Sequence, residues 1–157
     1  NILEEIVGSA LVRTRQELGK RRVEMSIPDD LPLLFVDGLL LEQLFVNLLE
    51  NAARYTPSDA TVTIQARSHI GWLVITVADD GPGLPPGSEE RIFEKFYRGN
   101  PTADGGRGSG LGLAICRAVA RVHGGTITAL NRHGGGVEFT LRLPLPENPP
   151  QVEMETR

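Results

Sequence analysis

The chain has 157 residues, of which 40% are hydrophobic and 23% are charged, and its formal net charge is −4 at pH 7. This composition predicts one globular domain and argues against nucleic acid or an anionic membrane surface as the main partner, since both attract basic proteins. The single cysteine, Cys116, excludes an internal disulfide and a multi-thiolate metal site, and no apolar run approaches the ~20 residues of a membrane span.

The first part of the chain predicts a helix followed by a strand. Apolar residues recur at helical spacing in residues 2–19, which predicts an amphipathic helix. The chain begins inside this pattern at Asn1 rather than at a methionine, so we expect it to be part of a longer protein. Residues 23–27 alternate between apolar and polar side chains and predict a strand, and residues 33–36 form a short extended piece before the next helix.

A second helix is predicted within residues 39–57, with Asp37 as its N-cap and the Thr56-Pro57 pair as its end, because a residue before proline avoids the α region. One face of this helix is apolar and suited to pack on a sheet. It comprises Leu41, Leu44, Phe45, Leu48, Leu49 and Ala52. The opposite face is a polar stripe that comprises Gln43, Asn47, Glu50, Asn51, Arg54 and Tyr55. On this helix alone, a solvated polar face is a sufficient explanation of the stripe.

The middle of the chain predicts a strand pair and then a long irregular segment. Residues 60–67 and 72–78 alternate and predict two strands, the second of which leads into Asp79. Regular patterns fade in residues 85–109, apart from a short helical patch at residues 89–97. So long an irregular segment in a compact domain is usually a functional lid or a disordered insert.

The last part of the chain predicts a helix and a hairpin. Residues 108–113 are predicted to open a third helix that runs to about His123, and strands follow at residues 126–131 and 137–143. The proline-rich tail from residue 144 is predicted to be disordered. Together, these elements predict a two-layer α/β sandwich in which three helices cover one face of a mixed sheet.

Two glycine patterns suggest a ligand site. Asp79-x-Gly81-x-Gly83 follows a strand end, where glycines let the backbone approach a ligand and a carboxylate could accept a hydrogen bond from an amine such as that of adenine. Gly108-x-Gly110-x-Gly112 at a helix start resembles a phosphate cradle, although no Gly-Lys-Ser/Thr follows as in a Walker loop. Taken separately, each pattern is also explained by an ordinary glycine-rich turn.

The order of these patterns is more specific than any one of them. Residues 47–56 (NLLENAARYT) match an N box, residues 79–83 a G1 box, residues 93–98 (FEKFYR) an F box and residues 108–113 a G2 box. Over roughly residues 2–143, the chain resembles the ATP-binding catalytic domain of bacterial sensor histidine kinases, within the gyrase, heat-shock-90, histidine kinase and mismatch-repair ATPase superfamily. Residues 92–99 and Asn131-Arg132 look most similar to the potassium-responsive Kdp sensor kinases. The resemblance implies a Bergerat-type ATP-binding fold with a flexible ATP lid.

The resemblance implies roles for four side chains at a metal ion and at phosphates. Asn51 would bind Mg²⁺ through its carboxamide oxygen, which suits a hard cation, and Asn47, one turn earlier, would assist at the metal or the phosphates. Arg54 would hold a phosphate, and Arg98 could stabilise charge on the transferring phosphoryl group. Asn47, Arg54 and Arg98 are thus the catalytic residues that the resemblance implies.

The resemblance also implies a nucleoside site. Asp79 would recognise the adenine amino group, and Tyr55 would pack near the adenine or the ribose. The other implied ATP contacts are Gly81, Gly83, Lys95, Gly108, Ser109, Gly110, Leu111 and Gly112. The chain departs from the family at two positions, because Arg54 stands where the family usually has lysine and Val137 where many relatives have serine or threonine. Neither change looks disabling.

The implied function is transfer of the γ-phosphoryl group of Mg·ATP to a histidine in a dimerisation domain that precedes Asn1. A response regulator would be the later partner, and the location would be cytoplasmic, as part of a membrane-bound sensor. A clamp ATPase or an anti-sigma-type serine kinase of the same superfamily, and a nucleotide-sensing module without chemistry, remain open. Clamp ATPases commonly have a water-activating glutamate at the Asn47 position, and asparagine cannot be that base, which favours the kinase.

Overall fold

The computed structural model describes residues 1–97 and 110–146. Its helices are α1 (Ile2–Arg13), α2 (Arg15–Leu18), α3 (Gly38–Tyr55) and α4 (Gly112–Val122). Its strands are β1 (Arg22–Ser26), β2 (Thr61–His69), β3 (Trp72–Asp79), β4 (Thr126–Asn131) and β5 (Val137–Pro144).

The five strands form one mixed sheet in the order β1-β2-β3-β5-β4. β1 runs parallel to β2, and the other neighbouring pairs are antiparallel. Alternate side chains face the helices, as in β3, where Leu73, Ile75 and Val77 are buried. The same alternation turns Asp79, the last residue of β3, towards the helix side of the sheet, where it is buried. The predicted two-layer α/β sandwich is confirmed.

α3 is the central helix of the layer that covers the sheet, since α1, α2 and α4 all pack against it. Its predicted apolar face is buried and consists of Leu41, Leu44, Phe45, Leu48, Leu49 and Ala52. Asp37 is the N-cap as predicted, because its Oδ1 accepts hydrogen bonds from the N–H groups of Leu39 and Leu40 at 3.0 and 3.1 Å. The helix ends before Thr56, whose ψ of 156° is extended as expected for a residue that precedes proline.

The first helix differs from its prediction, because it is broken in two at Thr14. The φ and ψ of this residue, −107° and 12°, interrupt the helical run between α1 and α2. Its buried hydroxyl donates to the Ala10 carbonyl one turn earlier, at 2.9 Å. A threonine that bonds back to this carbonyl bends or ends a helix, so the helical layer gains a fourth, short helix.

The predicted helical patch at residues 89–97 is wrong in extent. Only Arg91–Phe93 form a turn of 3₁₀ helix. Glu94 is extended, with ψ of 144°, and Phe96 has φ of +64°, so neither continues a helix. Phe93 is nevertheless buried, and its ring meets the Phe139 ring edge-on with the centroids 6.2 Å apart. This contact attaches the segment to β5.

The sheet extends slightly further along the chain than predicted. Pro144, the first residue of the predicted disordered tail, belongs to β5 and pairs with Trp72. Residues 147–157, which make up most of that tail, lie outside the described residues. None of the helices in the described ranges combines the length and the apolar character that crossing a bilayer requires.

Candidate functional site

The polar stripe of α3 lies between two contacts with the segments that carry the glycine patterns. Near the middle of the helix, Asn47 Nδ2 donates to the Gly112 carbonyl oxygen at 3.2 Å. At the C-terminal end, Thr56 packs so closely on Gly81 that a Cβ there would lie 2.8 Å from the Thr56 Cγ2 atom. About 14 Å of helix separates Asn47 from Thr56, and Asn51 lies between them. The two glycine patterns therefore meet α3 at opposite ends of the same stretch of helix.

Asp79 is buried at the Gly81 end of this stretch, with 7% of its surface exposed. Its Oδ1 accepts hydrogen bonds from the N–H groups of Gly81 at 2.9 Å and Val137 at 3.3 Å. Its Oδ2 makes no hydrogen bond to any residue of the described ranges. Burial raises the pKa of Asp79 above its ordinary value, and the two amide hydrogen bonds oppose this rise. Asp79 therefore presents one open acceptor oxygen from a buried position, which suits a donor such as an amino group.

The β4–β5 hairpin closes over the backbone of Asp79. Arg132 Nη1 donates to the Asp79 carbonyl oxygen at 2.7 Å, and Gly136 lies against the same carbonyl. The Asn131 carboxamide pairs with the backbone of Leu84, because it accepts from the Leu84 N–H at 2.7 Å and donates to the Leu84 carbonyl at 3.1 Å. The hairpin thus holds both ends of the loop that follows Asp79.

Substitution of Gly136 tests how closely the β4–β5 hairpin must approach the backbone of Asp79. A Cβ at Gly136 would collide with the Asp79 carbonyl oxygen, whereas nothing lies within 4 Å of a Cβ at Gly134. The two glycines have nearly the same φ, +95° and +94°, so alanine at either carries a similar backbone strain of about 1–2 kcal/mol. We expect Gly136→Ala to lower the free energy of unfolding by at least about 2 kcal/mol more than Gly134→Ala. Chemical denaturation measures both, and equal losses would contradict the close approach.

Three further residues of the predicted site follow along α3. Asn51 is half-buried, and its carboxamide makes no hydrogen bond within the part of the chain that the structure describes. Arg54 is exposed, and its Cζ lies 5.9 Å from the centroid of the half-buried Tyr55 ring. Lys95, by contrast, is exposed in a turn, and no hydrogen bond or ion pair joins it to α3 within the described residues.

The second glycine pattern is described only in part. Phe96 N–H donates to the Gly110 carbonyl at 2.8 Å, and a Cβ on Gly110 would lie 2.7 Å from the Phe96 Cα. Leu111 is the N-cap residue of α4, and Gly112 is the first residue of that helix. The remaining residues of the predicted site, Arg98, Gly108 and Ser109, lie outside the described residues.

Arg21, which no sequence pattern singles out, fixes the C-terminal end of α3. Its Nε donates to Thr56 Oγ1 at 2.8 Å, and its Nη2 donates to the carbonyls of Ala53 and Thr56 at 2.8 and 2.6 Å. Its Nη1 donates to the Leu18 carbonyl at the end of α2, at 3.1 Å. A guanidinium suits this place because the last carbonyls of a helix lack partners and carry partial negative charge. Arg21 therefore positions the turn that meets the first glycine pattern.

Cys116 is fully buried on α4, next to Asn47. Its Sγ donates to the Leu44 carbonyl at 3.5 Å. The neighbouring Asn47 side chain opposes the rise in the thiol pKa that burial causes. Burial raises the pKa of the Cys116 thiol to about 12, so the group is uncharged at neutral pH. Cys116 is thus a packing residue that supports the α3–α4 contact.

The side chains of the site suit a metal ion that binds together with an anion such as a phosphate group. No group of three or more His, Cys, Asp or Glu side chains that could hold a metal ion occurs in residues 1–97 and 110–146. A cation here would take most of its ligands from water and a bound anion, as Mg²⁺ does with phosphates. The Asn51 carboxamide, without a hydrogen-bond partner in the described ranges, offers a hard oxygen as the protein ligand.

Comparisons with known proteins agree on one family. Residues 36–147 match the family model described as Histidine kinase-, DNA gyrase B-, and HSP90-like ATPase. The sensor protein KdpD of Escherichia coli is 48% identical over 151 residues, which are 96% of this chain and 17% of that protein. The adaptive-response sensory kinase SasA of Trichormus variabilis is 35% identical over 142 residues, which are 90% of this chain and 35% of that protein. The solved mycobacterial sensor histidine kinase MprB superposes with a TM-score of 0.82 at 27% identity, covering 90% of this chain and 95% of that one. The chain therefore spans well under half of either curated relative.

Proposed function

Because this chain belongs to the family of histidine kinase-, DNA gyrase B- and HSP90-like ATPases, we propose that it is the ATP-binding catalytic domain of a two-component sensor histidine kinase. It binds Mg·ATP and transfers the γ-phosphoryl group to a histidine of a separate dimerisation domain, from which a response regulator receives it. The names of the relatives support this proposal, since KdpD is a sensor protein, SasA a sensory kinase and MprB a sensor histidine kinase.

Asp79 is the observation that supports nucleotide binding most strongly. Its buried carboxylate has one oxygen satisfied by two backbone amides and one oxygen open within the described part of the chain. A buried acceptor without a donor is costly, and the adenine amino group would supply that donor. Guanine carries an acceptor oxygen at the corresponding position, so the same site should bind ATP in preference to GTP.

The phosphates would lie along α3 and the first turn of α4. Asn51 would hold Mg²⁺ through its carboxamide oxygen, and the bound cation would neutralise charge on the phosphates. The exposed Arg54 would bind phosphate oxygens, with the fork of its guanidinium matching two of them. Gly112 is the first residue of α4, and the first N–H groups of a helix have no partner within the helix, so together with the positive end of the helix dipole they favour an anion.

The position on α3 where clamp ATPases commonly carry a water-activating glutamate is occupied by Asn47 in this chain. A carboxamide such as that of Asn47 has no useful basicity near pH 7. Stabilisation of phosphoryl charge without an oriented nucleophile gives little rate. The nucleophile is therefore expected from a partner, which is consistent with transfer to a histidine rather than hydrolysis.

We expect the chain alone to bind Mg·ATP with a Kd between about 1 μM and 1 mM and to hydrolyse it hardly at all. Calorimetry measures the affinity, and a phosphate-release assay measures turnover. A partner fragment that bears the acceptor histidine should become labelled with acid-labile phosphohistidine when it is added. If millimolar ATP produced neither heat nor a thermal shift, nucleotide binding itself would be overturned.

The alternative functions give different results in the same assays. A clamp ATPase releases phosphate steadily from the chain alone and labels no partner. A serine kinase leaves acid-stable phosphate on its partner, and a sensing module binds ATP without release or transfer. Asn47, in place of a catalytic glutamate, is the residue that argues against the clamp ATPase.

A further inference from the structure

A directed series of hydrogen bonds runs from α1 through Asn47 to the first turn of α4. Arg13 Nη2 donates to Gln43 Oε1 at 3.2 Å, and Gln43 Nε2 donates to Asn47 Oδ1 at 2.9 Å. Asn47 Nδ2 donates in turn to the Gly112 carbonyl at 3.2 Å. Arg13 is held at the other end by Glu42, whose Oε2 lies 3.1 Å from its Nη1. The series therefore links three helices through one carboxamide of the proposed site.

The two ends of the series fix its direction. A guanidinium can only donate, and a backbone carbonyl can only accept. Gln43 must therefore turn its oxygen to Arg13 and its nitrogen to Asn47. Asn47 must then turn its oxygen to Gln43 and its nitrogen to Gly112. A flip of either carboxamide would place two donors or two acceptors face to face.

We propose that Gln43 and Arg13 are positioning residues that set the orientation of the Asn47 carboxamide. The Asn47 nitrogen is committed to α4, and its oxygen keeps one lone pair beyond the bond from Gln43. Asn47 thus meets a ligand as an acceptor and holds the start of α4, since a Cβ on Gly112 would lie 3.9 Å from the Asn47 Cβ. The consequence for nucleotide binding rests on the proposed function, whereas the orientation itself does not.

Two substitutions at Gln43 separate orientation from packing. Gln43→Met keeps a side chain of similar length but removes both hydrogen bonds. Gln43→Glu keeps the shape and strengthens the contact with Arg13, but it sets an acceptor against the Asn47 oxygen. A residue that only bridges α1 and α3 would tolerate Gln43→Glu, whereas a residue that orients Asn47 would not. The same two substitutions at Gln65, which is exposed on β2, are the matched controls.

The side-chain amide resonances of Asn47 in ¹H–¹⁵N NMR spectra report its orientation without any nucleotide. We expect them to shift in both Gln43 variants, most in Gln43→Glu, and to stay unchanged in both Gln65 variants. The affinity for Mg·ATP should fall about 3- to 10-fold in Gln43→Met and at least as much in Gln43→Glu. The ratio of ATP to GTP affinity should remain that of the wild type, because Asp79 sets it.

Two results would overturn the inference. One is a set of Asn47 resonances in Gln43→Glu that match the wild type, and the other is an Mg·ATP affinity in the Gln43 variants equal to that of the Gln65 variants. Failure of the wild-type chain to bind Mg·ATP at all would instead overturn the proposed function. In that case, the NMR comparison would still decide whether Gln43 orients Asn47.

Discussion

Asp79→Asn is expected to remove the preference for ATP over GTP, with ATP affinity about 100-fold lower and GTP affinity little changed. A hydrogen bond from the adenine amine to a carboxylate contributes up to ~3 kcal/mol, which corresponds to this factor. In the variant, an amide NH₂ group faces the adenine amine, so a donor meets a donor. The Oδ1 atom of asparagine can still accept the hydrogen bonds from Gly81 and Val137. Calorimetric titrations with both nucleotides measure the change.

The same substitution should not destabilise the folded protein near neutral pH. Burial raises the pKa of Asp79, so the folded protein holds this proton more tightly than the unfolded chain does. The resulting stability is fully present below the ordinary pKa of 3.8 and is lost as pH rises through the raised value in the folded protein. At pH 7 the buried charge therefore lowers stability, and Asp79→Asn should have a Tm equal to or above that of the wild type. This advantage should shrink as the pH falls towards 4.

Asp80→Asn is the matched control for the nucleotide measurement. Asp80 is exposed, and its Oδ1 accepts a hydrogen bond from the Thr61 N–H at 2.9 Å. Its substitution should leave the ratio of ATP to GTP affinity unchanged. If Asp79→Asn also kept the wild-type ratio, Asp79 would have no part in adenine recognition.

Asn51→Ala is expected to reduce phosphoryl transfer to an acceptor histidine by about 1000-fold, because it removes the proposed protein ligand of Mg²⁺. No cluster of acidic or histidine side chains in the described ranges could replace it. The fold should tolerate the change, since the Asn51 carboxamide makes no hydrogen bond to a described residue. Acid-labile phosphate on a histidine-bearing partner fragment, followed over a Mg²⁺ series, measures transfer.

Asn51→Asp is the comparison variant for this experiment. It restores an oxygen ligand at the same position and should recover part of the transfer. Transfer at the wild-type rate by Asn51→Ala would exclude the metal-binding role. Steady phosphate release that depends on Asn51, without any phosphohistidine on the partner, would favour the clamp ATPase over the kinase.

Sequence patterns predict the fold well where one pattern allows one structure. The spacing of apolar residues on α3 and the cap at Asp37 are compatible with a helix and with little else. The segments with alternating apolar and polar residues are all strands in the structure. Thr14 is different, because a threonine inside a helical pattern can continue the helix or bond back and end it. Phe96 is also different, since no local pattern requires its φ of +64°. Thr14 bonds back to Ala10 within its own helix, whereas Phe96 is held by its hydrogen bond to Gly110, which a local pattern does not show.

The site is less predictable than the fold, because the residues that support it are far apart in sequence. Arg21 contacts Thr56 from 35 positions away, and in the sequence it looks like its basic neighbours Lys20 and Arg22. Gln43 is visible in the polar stripe, but its partner Arg13 lies on another helix. Box motifs identify side chains that would touch a ligand, whereas the residues that hold those side chains depend on tertiary packing.

Because Cys116 is buried between α3 and α4, chemical labelling of its thiol can report when the contact between these helices opens. Cys116 is the single cysteine of the chain, so a thiol reagent modifies the protein only after this contact opens. The labelling rate then reports the free energy of that local opening. A ligand that binds only the closed form slows labelling by the factor 1 + [L]/Kd. Labelling rates of Cys116 measured over a series of nucleotide concentrations would therefore give the dissociation constant of the nucleotide.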